Sequence, residues 1–261
     1  MIFFFDIDGT LVDHNRGLDH ISANVSYALQ ELSKEHYIFV ATGRPQCLLP
    51  QEFKDFGFSG LVMLNGAHVN FKGEDIFSHK VDYKIVKEII DYCESHRAIV
   101  FLEDEKALYV NRKDNLYYDF ISAWHLADVC KPIDELVINS TNALMMAFED
   151  DESYKECETH FKDVFVLKRH SGFLSFDVEF KDINKAEGIK QTLKCLNLDV
   201  EDAYCFGDGL NDLQMMAAVG HPVAMANGFE ETKKAAKEIC GDVLEDGIYH
   251  YLVDKGLVKK R

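Results

Sequence analysis

Over the first 78 residues, short apolar runs alternate with stretches in which apolar side chains recur every three or four positions. That alternation predicts strands joined by amphipathic crossover helices, the pattern of a parallel sheet. Residues 2–5 form the first strand, and Ile21, Val25, Ala28, Leu29 and Leu32 mark a helix for which Ser22 is a candidate cap. A second strand spans 37–41, after which Thr42-Gly43-Arg44 turns the chain and Pro45 suits the first turn of a further helix. A third strand at 61–64 ends in Asn65-Gly66-Ala67, and 68–79 reads as a hairpin turning at Lys72-Gly73.

From about residue 80 the pattern changes. Helical spacing at 83–95, 116–127 and 153–161 is interspersed with apolar runs at 99–102, 108–110, 144–148, 164–167 and 174–180. This predicts a self-contained α/β layer, an open sheet with helices on one face, inserted into the first domain. The parallel pattern then resumes with a helix at 184–196, a strand at 203–206, a helix at 210–218 and a last core strand at 223–226. The expected fold class is α/β: a doubly wound parallel-sheet core formed by 1–79 and 183–261, with an inserted α/β domain at 80–182.

Apolar content of 47% and charged content of 28% fit a folded globular chain of 261 residues. The net charge of −17 argues against nucleic acid or an anionic membrane surface as the partner, since both require a basic footprint. Seven cysteines without a C-x-x-C pair argue against a zinc site or disulfide framework and fit scattered thiols in a reducing compartment. Asp6 and Asp8 break the opening apolar run, and no apolar stretch approaches the roughly 20 residues of a membrane span. A cytoplasmic enzyme is therefore expected.

Two acidic motifs supply the candidate chemistry: DIDGT at 6–10 and GDGLND at 207–212, each directly after an apolar run. In an open α/β sheet, ligands sit outside the carboxyl ends of the strands, so Asp6, Asp8, Thr42, Asn65 and Asp208 should converge on one crevice. Acids gathered without a basic counterpart repel each other unless a hard divalent cation with oxygen ligands lies among them. Such a cation would also offset the charge that opposes a carboxylate attacking phosphorus. Asp6 is the candidate nucleophile, and Asp8, two residues on, the candidate acid and base for the leaving oxygen and the attacking water.

With these residues in this order, the chain resembles the haloacid dehalogenase superfamily, and within it the Cof-like sugar-phosphate phosphatases with a large α/β cap of the C2B type. The resemblance spans essentially the whole chain and rests on DIDGT, on Thr42 within ATGR, on Lys185 within NKAEGI and on GDGLND. It implies that Mg²⁺ is bound by Asp6, the main-chain carbonyl of Asp8 and Asp208, with Asp212 supporting the metal's water shell. It also implies that Thr42 and Lys185 hold the transferring phosphoryl group and that Asn211 contacts the phosphate. Gly43, Arg44 and Asn65 complete the expected phosphate-binding set. Family members often carry glycine after the motif lysine, where this chain has Ala186. The short interval between DIDGT and Thr42 leaves no room for a cap there, so the cap is the 80–182 segment.

Lys168, Arg169 and His170 form the most basic short run of that segment, which is either a solvated turn or a loop facing the substrate. The acidic runs 103–105 and 149–152 read as solvated turns or helix starts. The expected activity is Mg²⁺-dependent hydrolysis of a small phosphorylated metabolite, such as a hexose phosphate, through an aspartyl-phosphate, by a monomer that engages neither nucleic acid nor membrane. The alternatives are a phosphosugar mutase of the same fold and a catalytically silent phosphosugar sensor.

Overall fold

The strand β1 (Ile2–Phe5) has no polar position, and all four of its residues are buried. Such a run suits only the middle of a sheet covered on both faces. In the computed structural model, which describes residues 1–123, 126–169, 173–180 and 182–261, that is where it lies. The chain forms two compact units: residues 1–43, 50–77 and 184–261 make one, and residues 44–49 and 78–183 the other.

The first unit continues with α1 (Ala23–Leu32), β2 (Tyr37–Ala41), α2 (Gln51–Asp55), β3 (Gly60–Met63), β4 (His68–Phe71) and β5 (Glu74–Ser78). Ser22 caps α1 as expected, its hydroxyl accepting from Val25 N at 3.2 Å, and the β4–β5 hairpin turns through Lys72 and Gly73, both with positive φ.

The second unit contributes α3 (Tyr83–Ser95), β6 (Ile99–Glu103), β7 (Leu108–Val110), α4 (Leu116–Ala123), β8 (Cys130–Pro132), α5 (Glu135–Ser140), β9 (Ala143–Ala147), α6 (Asp151–Phe161), β10 (Val166–Arg169) and β11 (Ser175–Glu179). The chain then re-enters the first unit with α7 (Lys185–Leu196), β12 (Ala203–Gly207), α8 (Leu213–Ala217), β13 (His221–Ala224), α9 (Glu230–Ala235), β14 (Glu238–Ile239) and α10 (Gly247–Asp254).

In the first sheet the order is β14-β13-β12-β1-β2-β3-β4-β5, with β14 through β3 parallel and β4 antiparallel to β3. β1 and β2 run side by side with Phe5 opposite Val40, and β12 flanks β1 with Phe206 opposite Phe5. Rings stack across these strands, Phe5 on Phe206 at 4.9 Å and Phe3 on Tyr204 at 4.6 Å, which fixes the register. Asp6, Thr42 and Asp208 therefore leave the carboxyl ends of three adjacent strands. The last strand of this sheet is β14, not β13 as the pattern suggested. A two-residue edge strand is too short to show a period.

The second sheet has the order β10-β11-β9-β6-β7-β8. Residues of α3, α5 and α6 share one core cluster with alternate residues of its strands, among them Val100, Leu102, Leu144 and Phe176. The expectation of helices on one face only needs correction. Ile121, Tyr117 and Tyr118 of α4, with Cys47 and Leu48, pack against Ile99, Phe101 and Val110 on the opposite face. That packing is why residues 44–49 group with this unit.

The acidic run at 103–105 is also not a solvated turn. Asp104 is buried and accepts from the N–H groups of Lys106 and Ala107, both at 2.8 Å, and from the Tyr109 hydroxyl at 3.1 Å. By contrast, Asp150 in the second acidic run caps α6, accepting from Ser153 N at 2.7 Å. All seven cysteines are free thiols. Among the described residues, no helix is long and apolar enough to cross a membrane.

Candidate active site

At the end of β1, the backbone of Asp6 still belongs to the sheet, its N–H donating to the Phe206 carbonyl at 2.9 Å. The side chain is buried. Lys185, the first residue of α7, is completely buried, and its Nζ donates to Asp6 Oδ1 and Asp212 Oδ1, each at 2.6 Å. Helix α7 starts there because the Asn184 side chain accepts from the N–H groups of Ala186 and Glu187. A buried ammonium needs such partners, since an unpaired one would be expelled or neutralised.

The other oxygen of Asp212 accepts from the N–H groups of Asp208 and Gly209 at 3.0 and 2.9 Å. Asp212 thereby closes the loop that presents Asp208. Thr10 adds a hydroxyl bond to Asp208 Oδ1 at 2.9 Å. Gly9 is required by both its conformation and its position: its φ is +87°, and a Cβ would fall on the Asp208 carboxylate. Its carbonyl accepts from the Asn227 amide at 2.7 Å.

One oxygen from each of Asp6, Asp208 and Asp212 lies within 4.8 Å of the others. Three carboxylates face one ammonium, so the buried cluster carries an excess of negative charge. Burial pushes the Asp6 carboxyl well above the usual carboxylate range, against the pull of Lys185 and with the help of Asp212 and Asp208. Burial likewise pushes Asp208 up to about 7. For Lys185, burial works against the charge, but Asp212 and Asp6 outweigh it and the pKa is raised. All-oxygen donors with this charge excess fit a hard divalent cation such as Mg²⁺. Because both oxygens of Asp212 are already engaged, Asp6 and Asp208 are, among the described residues of the cluster, the acids with oxygens to spare.

Of the residues singled out in the sequence, Asp6, Lys185, Asp208 and Asp212 are brought together. Asp8 is exposed and lies near Asp208, whose carboxyl it helps to raise. Its side chain is not one of the three clustered carboxylates. Thr42 is buried at the end of β2, with Gly43 against the Asn65 side chain: a Cβ on Gly43 would stand 3.2 Å from Asn65 Oδ1. Asn211 sits in a 3-10 turn, its Oδ1 folded against Gly209. Arg44 belongs to the second unit and donates to the Leu48 carbonyl at 3.4 Å. Arg169 ends β10, but its side chain lies outside the described residues, as does all of His170.

Sequence reading missed Thr10, although it stands inside DIDGT, where a hydroxyl beside the acids is a usable signal. Asn227 and the capping role of Asn184 carry no comparable signal, since each depends on a partner remote in sequence or on a helix boundary.

Comparison with known proteins agrees with this geometry. The family model of haloacid dehalogenase-like hydrolases matches residues 3–252. The chain is 26% identical over 265 residues to the 5-amino-6-(5-phospho-D-ribitylamino)uracil phosphatase YitU of Bacillus subtilis (strain 168), covering 95% of this chain and 94% of that one. It superposes on the subclass IIB sugar phosphatase BT4131 with a TM-score of 0.80 at 26% identity, over 98% of this chain and 99% of the other. TM0651 of Thermotoga maritima gives a TM-score of 0.81 at 25% identity, with coverage of 100% and 98%. With the family model spanning nearly the whole chain and an acid–lysine cluster at the carboxyl ends of its parallel strands, the chain belongs to the haloacid dehalogenase-like hydrolases and is a phosphatase.

Proposed function

We propose that the protein is a Mg²⁺-dependent phosphomonoesterase that hydrolyses small phosphorylated sugars or polyols through an aspartyl-phosphate on Asp6. The observation that carries this reading is the buried ammonium of Lys185, bonded at once to Asp6 and Asp212 beside Asp208. A substrate of this class is supported by the names of relatives, one acting on a phosphorylated ribityl compound and one a sugar phosphatase.

Mg²⁺ held by Asp6, the Asp8 carbonyl and Asp208, with Asp212 behind its water shell, would supply positive charge against the phosphoryl oxygens. Lys185 orients Asp6 and meets the same oxygens, together with the Thr42 hydroxyl, Gly43, Arg44, Asn65 and Asn211. The Asp6 carboxylate attacks phosphorus, and the bond to the leaving sugar oxygen breaks as the new P–O bond forms. Asp8, exposed where Asp6 is buried, gives that oxygen its proton. Now ionised, it takes a proton from a water whose oxygen attacks phosphorus, which frees Asp6 and inorganic phosphate. We take the protein to work as a cytoplasmic monomer.

The test is hydrolysis of an aryl phosphate and of a panel of sugar phosphates with Mg²⁺. Asp6→Asn lowers turnover by at least about 1000-fold, and rapid quenching of the wild type with labelled substrate leaves label on Asp6. Isomerised sugar phosphate in place of free phosphate would identify a mutase, and no turnover at all would identify a sensor.

A further inference from the structure

We propose that Gly66 is a positioning residue, and that the turn it belongs to sets where the Lys185 ammonium stands. The inference rests on the proposed role of Lys185 and adds the element that holds it.

Three consecutive residues after β3 adopt positive φ: Leu64 at 53°, Asn65 at 49° and Gly66 at 93°. Leu64 and Asn65 pay a steric penalty there, and conformations of that kind persist only where the surroundings over-determine them. The surroundings are two phosphate-site segments. On one side, Asn65 N donates to the Thr42 carbonyl at 3.1 Å, and the Asn65 side chain lies against Gly43. Among the described residues, the buried Asn65 Oδ1 has no hydrogen-bond partner, so hydrogen bonding of that oxygen does not explain the strain.

On the other side, the turn abuts the first turn of α7. A Cβ on Gly66 would collide with the Asn184 carbonyl, standing 2.6 Å from its carbon and 3.1 Å from Lys185 N. A Cβ on Gly188, one turn along α7, would stand 3.0 Å from Gly66 Cα and 2.5 Å from Val62 Cγ1. Two glycines thus meet with nothing between them, and the Asn184 carbonyl at the contact is the one that accepts from Glu187 and Gly188 N–H to open the helix.

Lys185 is the residue directly after that carbonyl. Its side chain is fully buried and makes two bonds of 2.6 Å, so it has no slack to absorb a shift of its backbone. A displacement near 1 Å in a catalytic constellation can cost about 100-fold in rate. The left-handed turn therefore acts as a rest against which the start of α7 is pressed. Its strain serves the lysine's placement.

The experiment is a double-mutant cycle of Gly66→Ala with Lys185→Arg, read as kcat and KM for an aryl phosphate at saturating Mg²⁺, with inorganic phosphate as a competitive probe. Gly73→Ala is the control: its φ of +88° carries the same backbone cost, but a Cβ there meets open space. The expected result is a loss of about 100-fold in kcat for Gly66→Ala in the wild-type background, shrinking to no more than about 3-fold in the Lys185→Arg background, with Gly73→Ala unchanged.

Equal losses in both backgrounds, or no loss in the wild type, overturn the proposal, because a merely structural defect multiplies with the lysine change. If Gly66→Ala does not fold, Gly188→Ala takes its place in the same cycle and is judged by the same criterion. Full activity of Lys185→Arg together with Lys185→Met would instead sink the role of the lysine itself, a failure distinct from that of the turn.

Discussion

Asp208 illustrates what burying a carboxylate among other acids costs a protein. Its carboxyl sits at about 7, whereas an unfolded chain holds the same group near 3.8. Between those values the folded protein keeps a proton that the unfolded chain has lost. Stability of the metal-free protein therefore falls as pH rises from about 4 to 7 and stays low above that. Asp208→Asn removes this group's share of the effect and leaves that of the buried Asp6. In chelator, the variant is expected to be more stable than the wild type at pH 8 by on the order of 2 kcal/mol, with the gap closing towards pH 4, as urea unfolding at the two pH values would show. Under the proposed Mg²⁺ binding, the added ion should reverse the order at pH 8, because the variant lacks one of the carboxylates that would hold it.

At this scale the sequence was legible where the clustered acids sit in contiguous motifs. Asp6 and Asp208 follow apolar strands and announce themselves. Lys185 is one of 28 basic residues and has no signature apart from its place between two other motifs. Asp104 was misread because an acid that turns inward to bond a local loop looks, in sequence, like one that faces water.

Among the elements, α7 joins stability to the candidate site most directly, since its cap and the buried lysine that bonds Asp6 and Asp212 are consecutive residues. Asn184→Ala removes the side-chain acceptor for Ala186 and Glu187 N–H, which is expected to cost about 1 kcal/mol. Because Lys185 rides on the turn that loosens, kcat should fall as well, by about tenfold. Ser22→Ala, which uncaps α1, should cost similar stability and leave kcat unchanged. Thermal melts paired with aryl phosphate kinetics compare the two.

The strands and helices of the parallel core were readable from periodicity, since each buries one face or both. What periodicity could not give was which side of the second sheet receives α4. Apolar positions such as Tyr117 and Ile121 state that a helix packs and leave open against what.

For the whole molecule, two separate cores have a thermodynamic consequence. The first unit buries Ile2, Phe4, Phe39 and Cys205 in one cluster, and the second buries Val100, Leu102, Met146 and Phe176 in another. The acids that fit a cation belong to the first unit alone. Calorimetry should resolve two transitions, and Mg²⁺ should raise only one. At 100 times its dissociation constant the ion adds about 2.7 kcal/mol to the state that binds it. A single transition that shifts as a whole would show instead that the cores melt together. That the chain leaves its first core and later returns was legible, because the same parallel rhythm stops near residue 80 and resumes near 184. The membership of residues 44–49 was not, since it depends on where Cys47 and Leu48 find apolar surface.

The central place of β1 also bears on how the protein comes into being. Of its two neighbours, β2 emerges soon afterwards, but β12 is translated only after the whole inserted unit. Until then one edge of an all-apolar strand has no partner on the growing chain, a condition that favours clumping or capture by chaperones. A ribosome stalled before residue 203 would thus hold a polypeptide with Asp6 already made and the all-apolar strand before it still open on one edge.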